Sequence, residues 1–170
     1  GGGEGEGKVG GEGGGYEGDT VVFHTAVLEA YVDSFNFRGQ PLLMSLRMFL
    51  ASFRLPGEAQ QIDRILHAFA QRAYNECLES VQGLLASPDV AYLLSFSVIM
   101  LNTDLHNPNI RAEKRMTLEG FVRNNLNYGQ DISGEQDLPR RLLESVYVSI
   151  RDNPIITCEG GPESGMTVDR

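Results

Sequence analysis

Apolar residues recur at three- and four-residue spacing along most of the chain, and one sharp break organises the pattern. Leu42, Leu43, Leu46, Met48, Phe49, Leu50 and Phe53 give one predicted helix a broad apolar face. Ile62, Ile65, Leu66, Phe69, Ala70 and Ala73 restart the same period beyond Pro56-Gly57. Pro56 pushes Leu55 out of the helical region and Gly57 is a permissive backbone position, so the first helix is predicted to end at this corner. Glu58 then falls on the tight loop or in the first turn of the second helix, between two stretches built for burial. Acidic residues at a helix start gain about 0.3–1 kcal/mol from the free amides and the helix dipole. The pattern alone therefore leaves a purely structural reading of Glu58 open.

The same period continues elsewhere. From Thr25, the positions Val27, Leu28, Tyr31 and Val32 predict a short amphipathic helix ending near Phe35-Asn36-Phe37, with Gly39 as a break. Pro41 suits the start of the next helix, where its missing amide has no partner to lose. Residues 75–89, with Gly83 and Pro88, read as an irregular connector with room for one short helix. Val90 to Leu101 is apolar nearly all round, the mark of a buried core helix too short to span a bilayer. It runs abruptly into the polar row from Asn102 to Asn109. Thr117 is the predicted N-cap of a short helix through Leu118, Phe121 and Val122, although Gly120 stands where an acidic residue would complete a capping box. After a polar loop over 124–136, Asp137 is a predicted cap for a last helix carrying Leu138, Leu142, Leu143, Val146, Tyr147 and Ile150, with Pro139 in its first turn. No strand-like alternation persists, so the predicted fold class is all-α. Eleven of the first eighteen residues are glycine, and residues 1–20 are expected to be a disordered Gly/Glu-rich segment. A helical domain over 21–155 and a polar tail over 156–170 complete the expected organisation.

Composition narrows the function. With 14 basic against 23 acidic residues and a net charge of −9, neither a nucleic-acid groove nor a general anionic-membrane surface is expected. The two cysteines, Cys77 and Cys158, stand in no metal-ligand spacing, so neither a metal site nor a disulfide scaffold is expected, and a reducing compartment is. No serine or cysteine sits in a recognisable nucleophile setting. The row Asn102 to Asn109 offers only Asp104 and His106 as metal ligands, one short of a site. Two other readings of it stand: helix-end capping by Asn and Thr, or the polar lip of a hydrophobic trough. Met48 and Met100 suit either core filling or an adaptable contact surface. His24 and His67 read as ordinary surface or edge histidines.

Two stretches carry a resemblance. Phe53-Arg54-Leu55-Pro56-Gly57-Glu58-Ala59-Gln60 with Ile62-Asp63-Arg64, and the long run from Ala91 through Asn102-Thr103-Asp104-Leu105-His106-Asn107-Pro108-Asn109, resemble the two signatures of the Sec-seven (Sec7) domain family. Its members are guanine-nucleotide exchange factors for Arf-type small GTPases. Met116-Thr117-Leu118-Glu119 and Asp137-Leu138-Pro139 extend the likeness, which runs from about Thr25 to Asp152.

The resemblance implies a right-handed superhelix of antiparallel helices, with glycine-rich sequence standing where the family has several earlier helices. It implies low stability for this chain alone, because the helices from Thr25 to Phe53 then expose apolar surface. It makes Glu58 a glutamic finger, which enters the GTPase nucleotide site, displaces magnesium and repels the β-phosphate of GDP. Asp89, Tyr92, Met100 and Asn107 become partner-binding positions around a groove that grips the GTPase switch regions. Phe96, Ser97, Asp104 and Met116 become the positions of contact with brefeldin A, with Phe96 where the sensitive type usually has Tyr. No cofactor of the chain's own is implied, only the GDP and magnesium of the partner. Cytoplasmic location, peripheral to Golgi or endosomal membranes, and a part in vesicle transport follow by the same route. The alternative is a non-catalytic helical module that binds a GTPase as a scaffold.

Overall fold

The computed structural model describes residues 15–128 and 136–158, and among these every regular element is helical. In chain order they are α1 (Gly15–Asp33), α2 (Leu42–Ala51), α3 (Ala59–Tyr74), the single turn α4 (Leu78–Val81), α5 (Pro88–His106), a 3-10 turn at Ala112–Lys114, α6 (Leu118–Asn125) and α7 (Arg140–Asp152). The all-α expectation holds. α5 is the central rod: α3, α7, α2 and α6 all pack on it, and α1 reaches the bundle through α3.

The Pro56-Gly57 corner separates α2 from α3 as the periodicity requires, while three other boundaries differ from expectation. α1 begins at Gly15, so residues 15–20 are helical where a disordered segment was expected. Helix growth is cooperative, and once the turns around Val27–Val32 are formed, each further residue needs only its own bond. Residues 1–14 and 159–170 lie outside the described residues, as does the stretch 129–135 of the loop expected over 124–136. α5 begins at Pro88, capped by Ser87, whose hydroxyl accepts the Val90 amide at 3.3 Å. It ends at His106, inside the polar row that follows the apolar run to Leu101. α7 begins at Arg140 with Pro139 as its extended flanking residue, later than Asp137 had suggested.

Two charged groups, Glu79 and the half-buried Arg47, tie the bundle together. The Glu79 carboxylate, only 7 % exposed, accepts the Leu42 amide at 2.8 Å and so places an anion at the free N-terminus of α2. Arg47 does the opposite at the end of α7, donating to the carbonyls of Ser149, Asn153 and Pro154 at 2.7–3.1 Å. Its burial lowers the guanidinium pKa. Thr117 caps α6 as predicted, accepting the Gly120 amide at 3.1 Å. A Cβ at Gly120 would lie 3.2 Å from that same Thr117 hydroxyl, so the glycine keeps the cap tight. Phe37, Phe49 and Phe69 form the aromatic centre under α1, α2 and α3, all without exposed surface. Cys77 is buried, which pushes its thiol up to about 11, and both cysteines are free. Val27, Tyr31, Met44 and Met48 stand 38–52 % exposed on α1 and α2, the apolar face that the sequence led us to expect there.

Candidate functional site

Glu58 is the N-cap residue of α3, with extended backbone (φ −93°, ψ 124°). Its carbonyl accepts the amides of Gln61 and Ile62 and starts the helix, while its side chain makes no cap bond. The carboxylate is exposed, accepts one hydrogen bond from the Gln61 amide group at 3.0 Å, and forms no ion pair among the described residues. Gly57 is not in the left-handed region, and a Cβ there would meet nothing within 4 Å. The conformational freedom expected of this glycine is not used. It leaves the space beside Glu58 clear.

α3 and α5 run in opposite directions: the Tyr74 hydroxyl donates to Ala86 just before α5, whereas Tyr92, further along α5, reaches back to Asp63. From Tyr92 to Met100 α5 advances about 12 Å, and from the Asp63–His67 level to Glu58 α3 retreats about 8–13 Å, at 1.5 Å per residue. Glu58 therefore stands level with the outer part of α5. There the spacing of Asp89, Tyr92, Phe96, Met100 and Asn107 puts all five on one side of the helix. Phe96 is 42 % and Met100 54 % exposed, while Ile62, Ile65 and Ala68 of α3 lie half-buried against the core. The outer side of α5 thus carries an exposed apolar stripe running alongside α3. Asp89 lies exposed in the first turn of α5, at one end. At the other, Asn107 is the C-cap of α5, and its side-chain oxygen accepts the Asn109 amide at 2.9 Å, turning the chain away.

The remaining predicted positions divide by what they touch. Ser97 and Asp104, seven residues apart and so on one face of α5, reach the segments that follow and precede α6. The Ser97 hydroxyl pairs with the Tyr128 hydroxyl at 3.0 Å, and Asp104 accepts the Met116 amide at 2.5 Å. Met116 is half-buried and its carbonyl accepts the Tyr147 hydroxyl at 2.8 Å. Phe96 is separate from these, on the exposed stripe. The polar end of α5 is satisfied by distant partners: Asn102 accepts the Ile155 amide at 2.8 Å, and the His106 ring bonds the Ile150 carbonyl at 2.7 Å. These two residues and Thr103, which back-bonds Ile99 at 3.1 Å, hold structure together. Among the described residues no three His, Cys, Asp or Glu side chains are grouped to hold a metal ion, and no helix is long and apolar enough to cross a membrane.

Sequence reasoning missed the pairing of His67. Its ring lies parallel to Tyr92 with centroids 3.8 Å apart, and its Nε2 is 3.7 Å from Asp63 Oδ1. Tyr92 donates its hydroxyl to that same oxygen at 2.5 Å. This hydrogen bond first, and burial second, push the Tyr92 hydroxyl up to about 12, so it remains a donor at every ordinary pH. The i,i+4 spacing of Asp63 and His67 was visible, but nothing local announces a tyrosine on another helix.

Among the described residues the bundle is all-helical, with exposed apolar side chains along α5 and an exposed carboxylate at the start of the antiparallel α3. The sequence profile of the Sec7 domain matches residues 13–155. The chain belongs to the Sec7 domain family. It is 50 % identical to human cytohesin-2 over 141 residues, covering 83 % of this chain and 33 % of that protein. It is 44 % identical over 138 residues to the human brefeldin A-inhibited guanine nucleotide-exchange protein 1, covering 81 % of this chain and 7 % of that one. Among solved structures, the Sec7 domain bound to ARF1-GDP and brefeldin A superimposes with a TM-score of 0.66 at 34 % identity, covering 78 % of this chain and 63 % of that one. The chain thus spans a third or less of these two relatives.

Proposed function

We propose that this chain is the exchange-promoting part of a guanine-nucleotide exchange factor acting on an Arf-type GTPase. The groove formed by Tyr92, Phe96 and Met100, with Asp89 and Asn107 at its ends, takes the GTPase switch regions. Glu58 is the glutamic finger that displaces magnesium and repels the β-phosphate of GDP. The observation that carries this reading is the exposed Glu58 carboxylate standing level with the α5 stripe, with clear space at Gly57 beside it. Support also comes from a solved relative bound to ARF1-GDP and from another named as an exchange protein. Binding energy from the groove offsets the opening of the nucleotide site, so the chain favours the nucleotide-free GTPase. No covalent bond is made or broken, and the only small molecules required are the partner's own GDP and magnesium. Action on a membrane-linked GTPase would place the protein in the cytoplasm, peripheral to Golgi or endosomal membranes.

Release of a fluorescent GDP analogue from ARF1 tests the reading: the chain is expected to accelerate it, and a rate equal to spontaneous release rejects it. Met100→Asp puts an unpaired charge into the centre of the groove. Loss of about 2 kcal/mol or more, typical of a central interface anchor, would raise the half-saturating chain concentration about thirtyfold. A variant that saturates like wild type would remove Met100 from the interface. In the same assay brefeldin A is expected to slow release, through Ser97, Asp104 and Met116 beside Phe96. Phe96→Tyr is expected to be inhibited more strongly. A rate unaffected by the drug in both proteins rejects this part.

A further inference from the structure

The stacked pair at the wall of the groove has a role that the exchange reading does not assign. Tyr92 leads the exposed stripe on α5, with Phe96 next to it (centroids 6.4 Å, planes 28° apart). A tyrosine in that place has two free torsions, and a ring that swings must be immobilised whenever a partner docks. Here both are fixed from α3. The Asp63 carboxylate holds the hydroxyl at 2.5 Å, and the His67 ring covers one face of the phenol at 3.8 Å with planes only 6° apart. One oxygen, Asp63 Oδ1, serves the tyrosine hydroxyl and faces the histidine Nε2 at 3.7 Å. His67 and Asp63 are themselves about half exposed, 52 % and 53 % at the side chain. The trio is thus a surface clamp that bridges two helices, distinct from the buried packing that holds them together.

We propose that His67 is a positioning residue of the groove: stacked on Tyr92 and facing the Asp63 oxygen that takes the Tyr92 hydroxyl, it holds that ring in the orientation the GTPase meets. The proposal rests on the exchange reading. His67 touches neither nucleotide nor Glu58, so it acts on docking and leaves the maximal release rate alone. What matters is the flat ring. Phenylalanine at 67 preserves the stack, alanine removes it, and neither disturbs a buried contact.

The test compares wild type, His67→Ala and His67→Phe by GDP release from ARF1 at varied chain concentration, by titration binding to nucleotide-free ARF1, and by the NMR shifts of the Tyr92 ring protons. His67→Ala is expected to raise the half-saturating concentration about tenfold, or about 1.4 kcal/mol, with maximal rate and melting temperature unchanged. It should also erase the ring-current shift at Tyr92. His67→Phe should restore both to near the wild-type values. The proposal is overturned if His67→Ala saturates and binds like wild type, or if His67→Phe behaves like His67→Ala. The exchange reading fails separately, by a wild-type rate equal to spontaneous release. In that event the binding titration alone decides on His67, with equal affinity of wild type and His67→Ala overturning its role.

Discussion

Glu58→Lys is expected to bring nucleotide release down to the spontaneous rate while leaving the chain folded and able to bind. Two unit charges about 4 Å apart at an effective dielectric near 20 repel by about 4 kcal/mol. At about 1.4 kcal/mol per decade, that corresponds to nearly three orders of magnitude in nucleotide affinity. Displacing the magnesium ion removes charge compensation at the phosphates and adds to the effect. A lysine reverses the sign of the local term and attracts the β-phosphate, so it should be worse than Glu58→Ala, which only removes it. Glu58→Gln keeps the shape and should fall close to alanine, because charge and not bulk does the work. The fold should not notice. Glu58 is exposed, caps α3 with its carbonyl alone, and its side chain has one neutral partner in Gln61, so substitution should stay within about 0.5 kcal/mol of wild-type stability. Stopped-flow release together with pull-down of nucleotide-free ARF1 distinguishes the two classes of function. If wild type, Glu58→Ala and Glu58→Lys all match spontaneous release while binding persists, the chain is a scaffold.

The same carboxylate shows what a sequence can convey. Pro56 and the restarting apolar period placed Glu58 at a helix corner without any coordinates, because proline sterics and helical periodicity are local. They could not show that the side chain is exposed, since that depends on which distant segments fold near it. The polar row after Leu101 is a further case. The apolar run stops at Leu101, yet α5 carries on to His106 within the row, where Asn102 and His106 find partners in Ile155 and Ile150, far along the chain. The extension of α1 back to Gly15 was hidden by glycine-rich composition, which local propensity weighs heavily and cooperative growth outweighs. The Asp63–His67–Tyr92 clamp joins residues on two helices, so only the antiparallel pairing of α3 and α5 brings it into view. The α5 positions Asp89, Tyr92, Met100 and Asn107 were offered by the family resemblance, and helical spacing then puts them on one side of a single element.

Phe69→Ala is the substitution expected to damage stability most, and it separates fold from function. The ring is fully buried on α3, edge-on to Phe37 at 5.4 Å and stacked on Phe49 at 5.1 Å. Truncating such a side chain costs about 3–5 kcal/mol through lost transfer energy and the cavity left behind. Its two aromatic pairs account for about 0.5–1.5 kcal/mol each of that cost. For a chain of this size each kilocalorie moves the midpoint by about 2–4 °C, so the transition should fall by about 6–20 °C. The site has little reserve. Phe37 leads out of α1 and Phe49 lies on α2, so Phe69 is where α3 meets both, while Val27, Tyr31, Met44 and Met48 on those two helices still face water. Losing the ring should therefore release α1 and α2 from α3 before the α5–α7 packing gives way, broadening the transition as well as lowering it. Phe69→Leu, which refills most of the volume, should lose much less. Circular dichroism melts of the three proteins decide the matter. If Phe69→Ala melts within two or three degrees of wild type, the aromatic centre does not join these helices, and α1 and α2 must be held by other contacts.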